Sequence, residues 1–175
     1  MENFKNFLEL AERRKSIRSF KNMKIEEDKL NYILEAFRLA PSAKNLQPWK
    51  LVIVTDDSIR ENLVPACRNQ KFISEAPVII IATIIEEEAY ATMGGYFNSY
   101  PVDIGISLEH LILAAAEQGL GTCWIGAFDE KAVKKVIKIP ENVRVVAITP
   151  LGYPDEPGRE RKRKTMEEII SYNKY

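Results

Sequence analysis

The apolar positions of this chain change their period several times, and each change marks an element. Phe4, Phe7, Leu8 and Ala11 recur at helical spacing and predict a helix over 3–13. Leu30, Ile33, Leu34 and Phe37 share one face of a second helix, over 26–39. Glu26, Glu27 and Asp28 occupy its first turn, where the helix dipole favours carboxylates, and Pro41 ends it. "KLVIVT" (50–55) predicts a strand, and Ser58 the cap of a short helix reaching to about Val64. "APVIIIATII" (76–85) is a continuous β-branched run, the pattern of a strand buried on both faces. The stretch 86–100 has no clear period and carries Gly94 and Gly95; it reads as a mobile connection or an irregular cap.

Residues 101–118 predict a helix with Pro101 in its first turn and Gly119 as its stop. Its apolar residues, from Val102 to Ala115, run most of the way round, so it is expected to be buried on nearly all sides. In a chain this small, a second subunit is the expected cover. Residues 122–128 read as a strand or turn, Asp129 caps a helix over 130–137, 143–153 is the last strand, and 165–170 a short helix. Strands alternating with helices suggest an α+β or α/β architecture. With no internal repeat and no long linker, 1–175 is read as one domain.

Charge narrows the partners. The chain has 175 residues, 46% hydrophobic and 29% charged, with 25 Lys and Arg against 25 Asp and Glu. Zero net charge argues against a general binder of nucleic acid or of membrane surfaces. No segment reaches the roughly 20 apolar residues a membrane span needs, and the N-terminus lacks a signal-peptide core; the chain is read as cytoplasmic. Cys67 and Cys123 are read as reduced packing residues. His110 is the single histidine, so a metal site or a Cys–His nucleophile has no support, and His110 is taken as a structural or interface residue. Ser16, Ser42 and Ser107 lie in no nucleophile elbow. The glycines of "GLGTCWIG" do not have dinucleotide-binding spacing.

Two basic clusters remain, "RRKSIR" at 13–18 and "RERKRK" at 159–164. In an extended segment Arg14, Ser16 and Arg18 would share one face. Arginine's planar fork and a serine hydroxyl suit phosphate oxygens. Either cluster alone is accounted for by solvated charge; the two together, in a chain without net charge, point to a shared anionic ligand. "APSAKNLQPWK" (40–50) is a short polar loop stiffened by Pro41 and Pro48 between a helix and a strand, a placement typical of functional loops.

Taken in order, "RRKSIRSF", "APSAKNLQPW", "EAPVIIIAT", "AAAEQGLGTCWIGAF" and a basic stretch before "EEII" resemble the nitroreductase family of FMN-dependent oxidoreductases over nearly the whole chain. The resemblance implies an α+β fold with a central, mostly antiparallel sheet flanked by helices, in an intertwined homodimer with two FMN sites at its interface. It implies that Arg14 and Ser16 hold the FMN phosphate with Lys15 close by, joined by Arg161 and Arg163. Arg18 would reach the pyrimidine edge of the ring, and Asn69 or Gln70 its polar edge. Ile125 and Gly126 match the stretch whose backbone N–H faces flavin N5. Pro41, Ser42, Ala43 and Asn45 would line the flavin held mainly by the other subunit. NAD(P)H would donate hydride, and a nitroaromatic, quinone or similar small acceptor would take it in a ping-pong cycle, with no side-chain acid or base required. The segment 86–100 is shorter than the corresponding stretch of many members, which leaves the acceptor open. A flavin carrier or sensor without turnover, and a small nucleic-acid-binding protein, are the alternatives.

Overall fold

A computed structural model describes residues 5–175; Phe4 and the start of the first predicted helix lie outside the described residues. Its elements are α1 (Phe7–Arg13), α2 (Glu27–Arg38), β1 (Trp49–Val54), α3 (Asp57–Ala66), α4 (Phe72–Glu75), β2 (Val78–Ile85), α5 (Tyr100–Glu117), β3 (Gly121–Thr122), α6 (Glu130–Ile137), β4 (Val143–Gly152) and α7 (Met166–Ile169). The sheet order is β1-β2-β4-β3, and every pairing is antiparallel. The fold is α+β, as the resemblance implied.

β2 is central, and all but its last residue are buried. Because side chains alternate across a strand, Val78, Ile80, Ala82 and Ile84 face one core with Ile33, Phe37, Ile104, Leu108 and Leu111 of α2 and α5. Ile79 and Ile81 face the other core, with Leu63, Ile73, Val133 and Ile148. The predicted strand began at Ala76; the ladder begins at Val78, because Pro77 has no N–H to donate.

One expectation changes. The cap of α3 is Asp56, whose carboxylate accepts from the Ile59 N–H at 3.0 Å; Ser58 lies inside the first turn and donates to the same oxygen. α5 is not covered on nearly all sides within one chain. Ile104, Leu108, Leu111 and Ala115 are buried, but Ile106, Glu109 and His110 are exposed and Val102 and Leu113 half-buried. The stretch 86–100 is irregular: a 3-10 turn over Glu86–Glu88 is followed by a tight loop in which Met93 and Phe97 pair around Gly94 and Gly95, both at positive φ. α4 had no signal in the pattern.

Candidate functional site

α1 ends at Arg13, and the chain then runs extended beside β3. Ser16 bridges Thr122, and the Ile17 N–H donates to the Thr122 carbonyl at 2.8 Å. Ile17 is buried on one side of this segment, while Arg14, Lys15, Ser16 and Arg18 line a pocket. Gly121 permits the approach: a Cβ there would stand 2.7 Å from Ile17 Cγ1.

β4 delivers the second basic cluster to the first. Beyond Gly152 the chain pairs with 18–21 through Lys21 N–H to Tyr153 O, Asp155 N–H to Ser19 O, and Arg18 N–H to the Glu156 carboxylate. Gly158, at φ +69°, packs so closely that an added Cβ would lie 2.8 Å from Lys15 Cβ. Arg159, Arg161 and Arg163 thereby reach the pocket that Arg14, Lys15, Ser16 and Arg18 line, with a volume of about 540 Å³. Six basic side chains face it against two carboxylates, Glu12 and Glu160. Lys15 lies 3.9 Å from Glu160, an exposed and therefore weak pair. Among the described residues no ion pair holds the guanidinium groups of Arg14, Arg18, Arg159, Arg161 or Arg163. Their mutual repulsion would be relieved by an anion, and forked donors with a hydroxyl match phosphate geometry. The donor set fits the phosphate end of a mononucleotide.

The loop after α2 is built differently. Lys44, Asn45 and Gln47 all have φ between 50° and 57°, a left-handed conformation costing non-glycine residues on the order of 1 kcal/mol each. Internal bonds hold it: Asn45 N–H to Ser42 O (2.9 Å), Leu46 N–H to Ala43 O (3.2 Å) and Gln47 N–H to Ser42 Oγ (3.0 Å). Asn45 and Pro41 are exposed, and Ser42 and Ala43 half-buried. None of Pro41, Ser42, Ala43 and Asn45 lines the basic pocket.

The remaining predicted residues lie elsewhere as well. Asn69 is exposed at φ 56°. Gln70 donates from Nε2 to the carbonyls of Cys67 (2.9 Å) and Ala127 (3.3 Å), which leaves its Oε1 to accept. Ile125 is buried, and its N–H is committed to the Ile148 carbonyl at 2.8 Å. Gly126 is exposed, and its N–H has no partner among the described residues. Burial pushes the Cys67 thiol up to about 11 and raises that of Cys123, in keeping with packing roles.

Two residues escaped the sequence reading. Arg159 lines the pocket with Arg161 and Arg163; their alternate spacing was the available signal. Asp103 is buried in the first turn of α5, where its carboxyl accepts from the Ala43 N–H at 2.8 Å. A single acid inside an otherwise apolar helix was its signal.

The sequence profile of the nitroreductase family matches residues 11–75 and 66–153. A relative from Thermotoga neapolitana, an iodotyrosine deiodinase, is 28% identical over 98% of this chain and 100% of its own length. A nitroreductase family protein from Clostridium novyi NT has a crystal structure that superposes with a TM-score of 0.81, at 38% identity over 89% of each chain. The NADPH:FMN oxidoreductase of Vibrio harveyi, solved with NAD+, superposes with a TM-score of 0.85 at 27% identity, over 96% of this chain and 77% of that one. Among the described residues no helix is long and apolar enough to cross a membrane.

Proposed function

Because the chain belongs to the nitroreductase family, we propose that it is an FMN-dependent oxidoreductase that takes hydride from NAD(P)H and gives it to a small acceptor. The single observation that carries the reading is the pocket of six basic side chains whose arginines have no ion pair among the described residues. When bound, FMN would supply the two-electron redox chemistry that links NAD(P)H to the acceptor.

The chain's own groups bind and orient. Arg14, Ser16, Arg161 and Arg163, with Lys15 beside them, hold the phosphate through charge-assisted hydrogen bonds. Arg18 offsets negative charge that develops at the pyrimidine edge of the ring. The free N–H of Gly126 is the donor available to N5, since that of Ile125 is committed to the sheet. Gln70 Oε1 and Asn69 are the polar groups for the ring edge. Pro41, Ser42, Ala43 and Asn45 serve the flavin of a second subunit. Their absence from the basic pocket's lining supports that reading, as does the outer face of α5, with Ile106 exposed and Leu113 half-buried. The working form is a homodimer in the cytoplasm, where NAD(P)H is supplied.

The test is direct. The purified protein is expected to be yellow, to release FMN on denaturation, and to oxidise NADH or NADPH when given a nitroaromatic, a quinone or iodotyrosine. The acceptor turned over fastest assigns the substrate class. Bound FMN with no turnover on any acceptor would make the protein a flavin carrier. A colourless protein that neither takes up added FMN nor oxidises NAD(P)H would refute the proposal.

A further inference from the structure

We propose that Asp103 is the positioning residue of the 41–47 loop, fixing it in space from the first turn of α5 and tying it, through Ser99, to the 86–99 segment. The inference rests on the reading above that this loop meets the flavin. Asp103 is 2% exposed and Ser99 fully buried. One carboxyl oxygen accepts from the Ala43 N–H at 2.8 Å, and the other from the Ser99 hydroxyl at 2.6 Å. Ser99 Oγ in turn accepts from the Tyr90 N–H at 3.1 Å, and the Ser99 N–H donates to the Tyr90 carbonyl at 2.8 Å. The ammonium of Lys44, in the loop, lies 4.4 Å from the centre of the Tyr90 ring. Loop, segment and helix therefore meet on one buried carboxyl.

Neither the helix nor the core requires an acid there. A leucine would extend the apolar surface of α5, whereas a buried carboxyl must be compensated by donors. The donors present are the Ala43 N–H and the Ser99 hydroxyl, supported by the positive end of the helix dipole. The loop's own hydrogen bonds set its shape but not its place. Its ends are held by α2 and by Pro48, whose carbonyl accepts from the Ile85 N–H at 3.1 Å. Between them, the Ala43–Asp103 bond joins the strained turn to the helical body. Strain of this kind persists only where surroundings over-determine it, and it concentrates at functional sites.

Three full-length variants test the role, each read by its affinity for FMN and for riboflavin and by the visible circular dichroism of the bound flavin. Asp103→Leu removes both acceptors and is expected to weaken FMN and riboflavin by the same factor, about tenfold, and to change the visible spectrum. Asp103→Asn keeps an acceptor for Ala43 and is expected to stay within about twofold of the parent. Ala43→Pro deletes the N–H and leaves the carboxyl intact. Ser42, at φ −137° and ψ 162°, already has the backbone that must precede a proline. It is expected to reproduce the loss, and it keeps the test open should Asp103→Leu not fold. Unchanged affinities and spectra in Ala43→Pro, or equal losses in Asp103→Asn and Asp103→Leu, would overturn the positioning role. A parent protein that binds neither flavin would instead remove the functional reading, and this inference with it.

Discussion

The basic pocket and the 41–47 loop are both polar, but they are under opposite kinds of stress. In the pocket the stress is electrostatic: six basic side chains face two carboxylates. In the loop the charges are few and the stress is conformational, with three non-glycine residues left-handed within four positions. The first kind is relieved by a ligand. The second is already contained by hydrogen bonds, so the loop presents its surface with little left to reorganise. Electrostatic stress marks where an anion enters; conformational stress marks where a shape is kept. No residue of the loop lines the basic pocket, and the proposed shared site would take its phosphate grip from one chain and its loop from another.

The largest expected effect breaks the comparison at that point. One subunit carries Ser42→Ala and Asn45→Ala, the other Arg14→Ala and Ser16→Ala. If sites are shared, a heterodimer has one intact site and one that collects all four changes. FMN content and NAD(P)H oxidation are then expected to rise well above both parent homodimers, measured on heterodimers verified by mass. If each chain's loop served its own pocket, every site would be damaged and mixing would rescue nothing.

Arg14→Ala is the next largest. A charge-assisted bond to phosphate contributes about 1.5–3 kcal/mol, so FMN affinity is expected to fall roughly ten- to hundredfold. Riboflavin, which lacks the phosphate, is expected to bind as it does to the parent. This is the reverse of the equal losses expected at Asp103, and titration of both flavins separates the two regions. Equal losses at Arg14 would show that the pocket is not a phosphate site.

How far each region was legible in the sequence follows from the same physics. The pocket could be read because charge is a composition signal: "RRKSIR" and "RERKRK" stood out against zero net charge, and alternation placed Arg14, Ser16 and Arg18 on one face. What joined them could not be read, because it depends on backbone approach at Gly121 and Gly158, where a glycine looks like any other turn residue. β2 and α6 were legible from β-branched run and Asp129 cap. β3 was read only as a strand or turn over 122–128, one residue late, and the four-residue α4 was not read, since so few residues establish no period. The loop was legible as a stiff polar connection. Its anchor was not, because Asp103 and Ala43 lie 60 positions apart and meet only through packing.

Gly158→Ala probes how the pocket is closed, with a smaller effect. At φ +69° an alanine costs about 1–2 kcal/mol, and its Cβ would crowd Lys15 Cβ at 2.8 Å and Ile17 Cδ1 at 3.0 Å. The tail must swing away from 14–18 and carry Arg159, Arg161 and Arg163 with it. FMN affinity is expected to fall by roughly three- to tenfold and riboflavin affinity to hold. A thermally weakened protein with unchanged FMN affinity would mean that the tail arginines do not hold the phosphate.

The smallest effect concerns a polar link between the elements that feed the two regions. α2 runs into the loop, and β4 runs into the basic tail. Between them, Lys29 Nζ donates to Tyr153 Oη at 2.6 Å, and the Tyr153 hydroxyl donates to Glu26 Oε2 at 2.5 Å. The hydrogen bond from Tyr153 is the main cause that holds the Glu26 carboxyl below its ordinary value of 4.5, with Lys29 adding to it. The bond to Tyr153 likewise raises Lys29 above 10.5. A depressed carboxyl stabilises the fold above its unfolded value and loses that contribution as pH falls through its folded one. A raised ammonium stabilises below its unfolded value and loses the contribution as pH rises through its folded one. Tyr153→Phe removes both partners' bond, so its melting temperature is expected to lie below the parent's from about pH 4.5 to 10.5, by at most a few degrees since Glu26 is exposed and Lys29 only half-buried. Below that window the gap is expected to narrow by the Glu26 share, and above it by the Lys29 share. A gap that persists unchanged at pH 3 would mean that the hydroxyl acts through Lys29 and not through the Glu26 carboxylate.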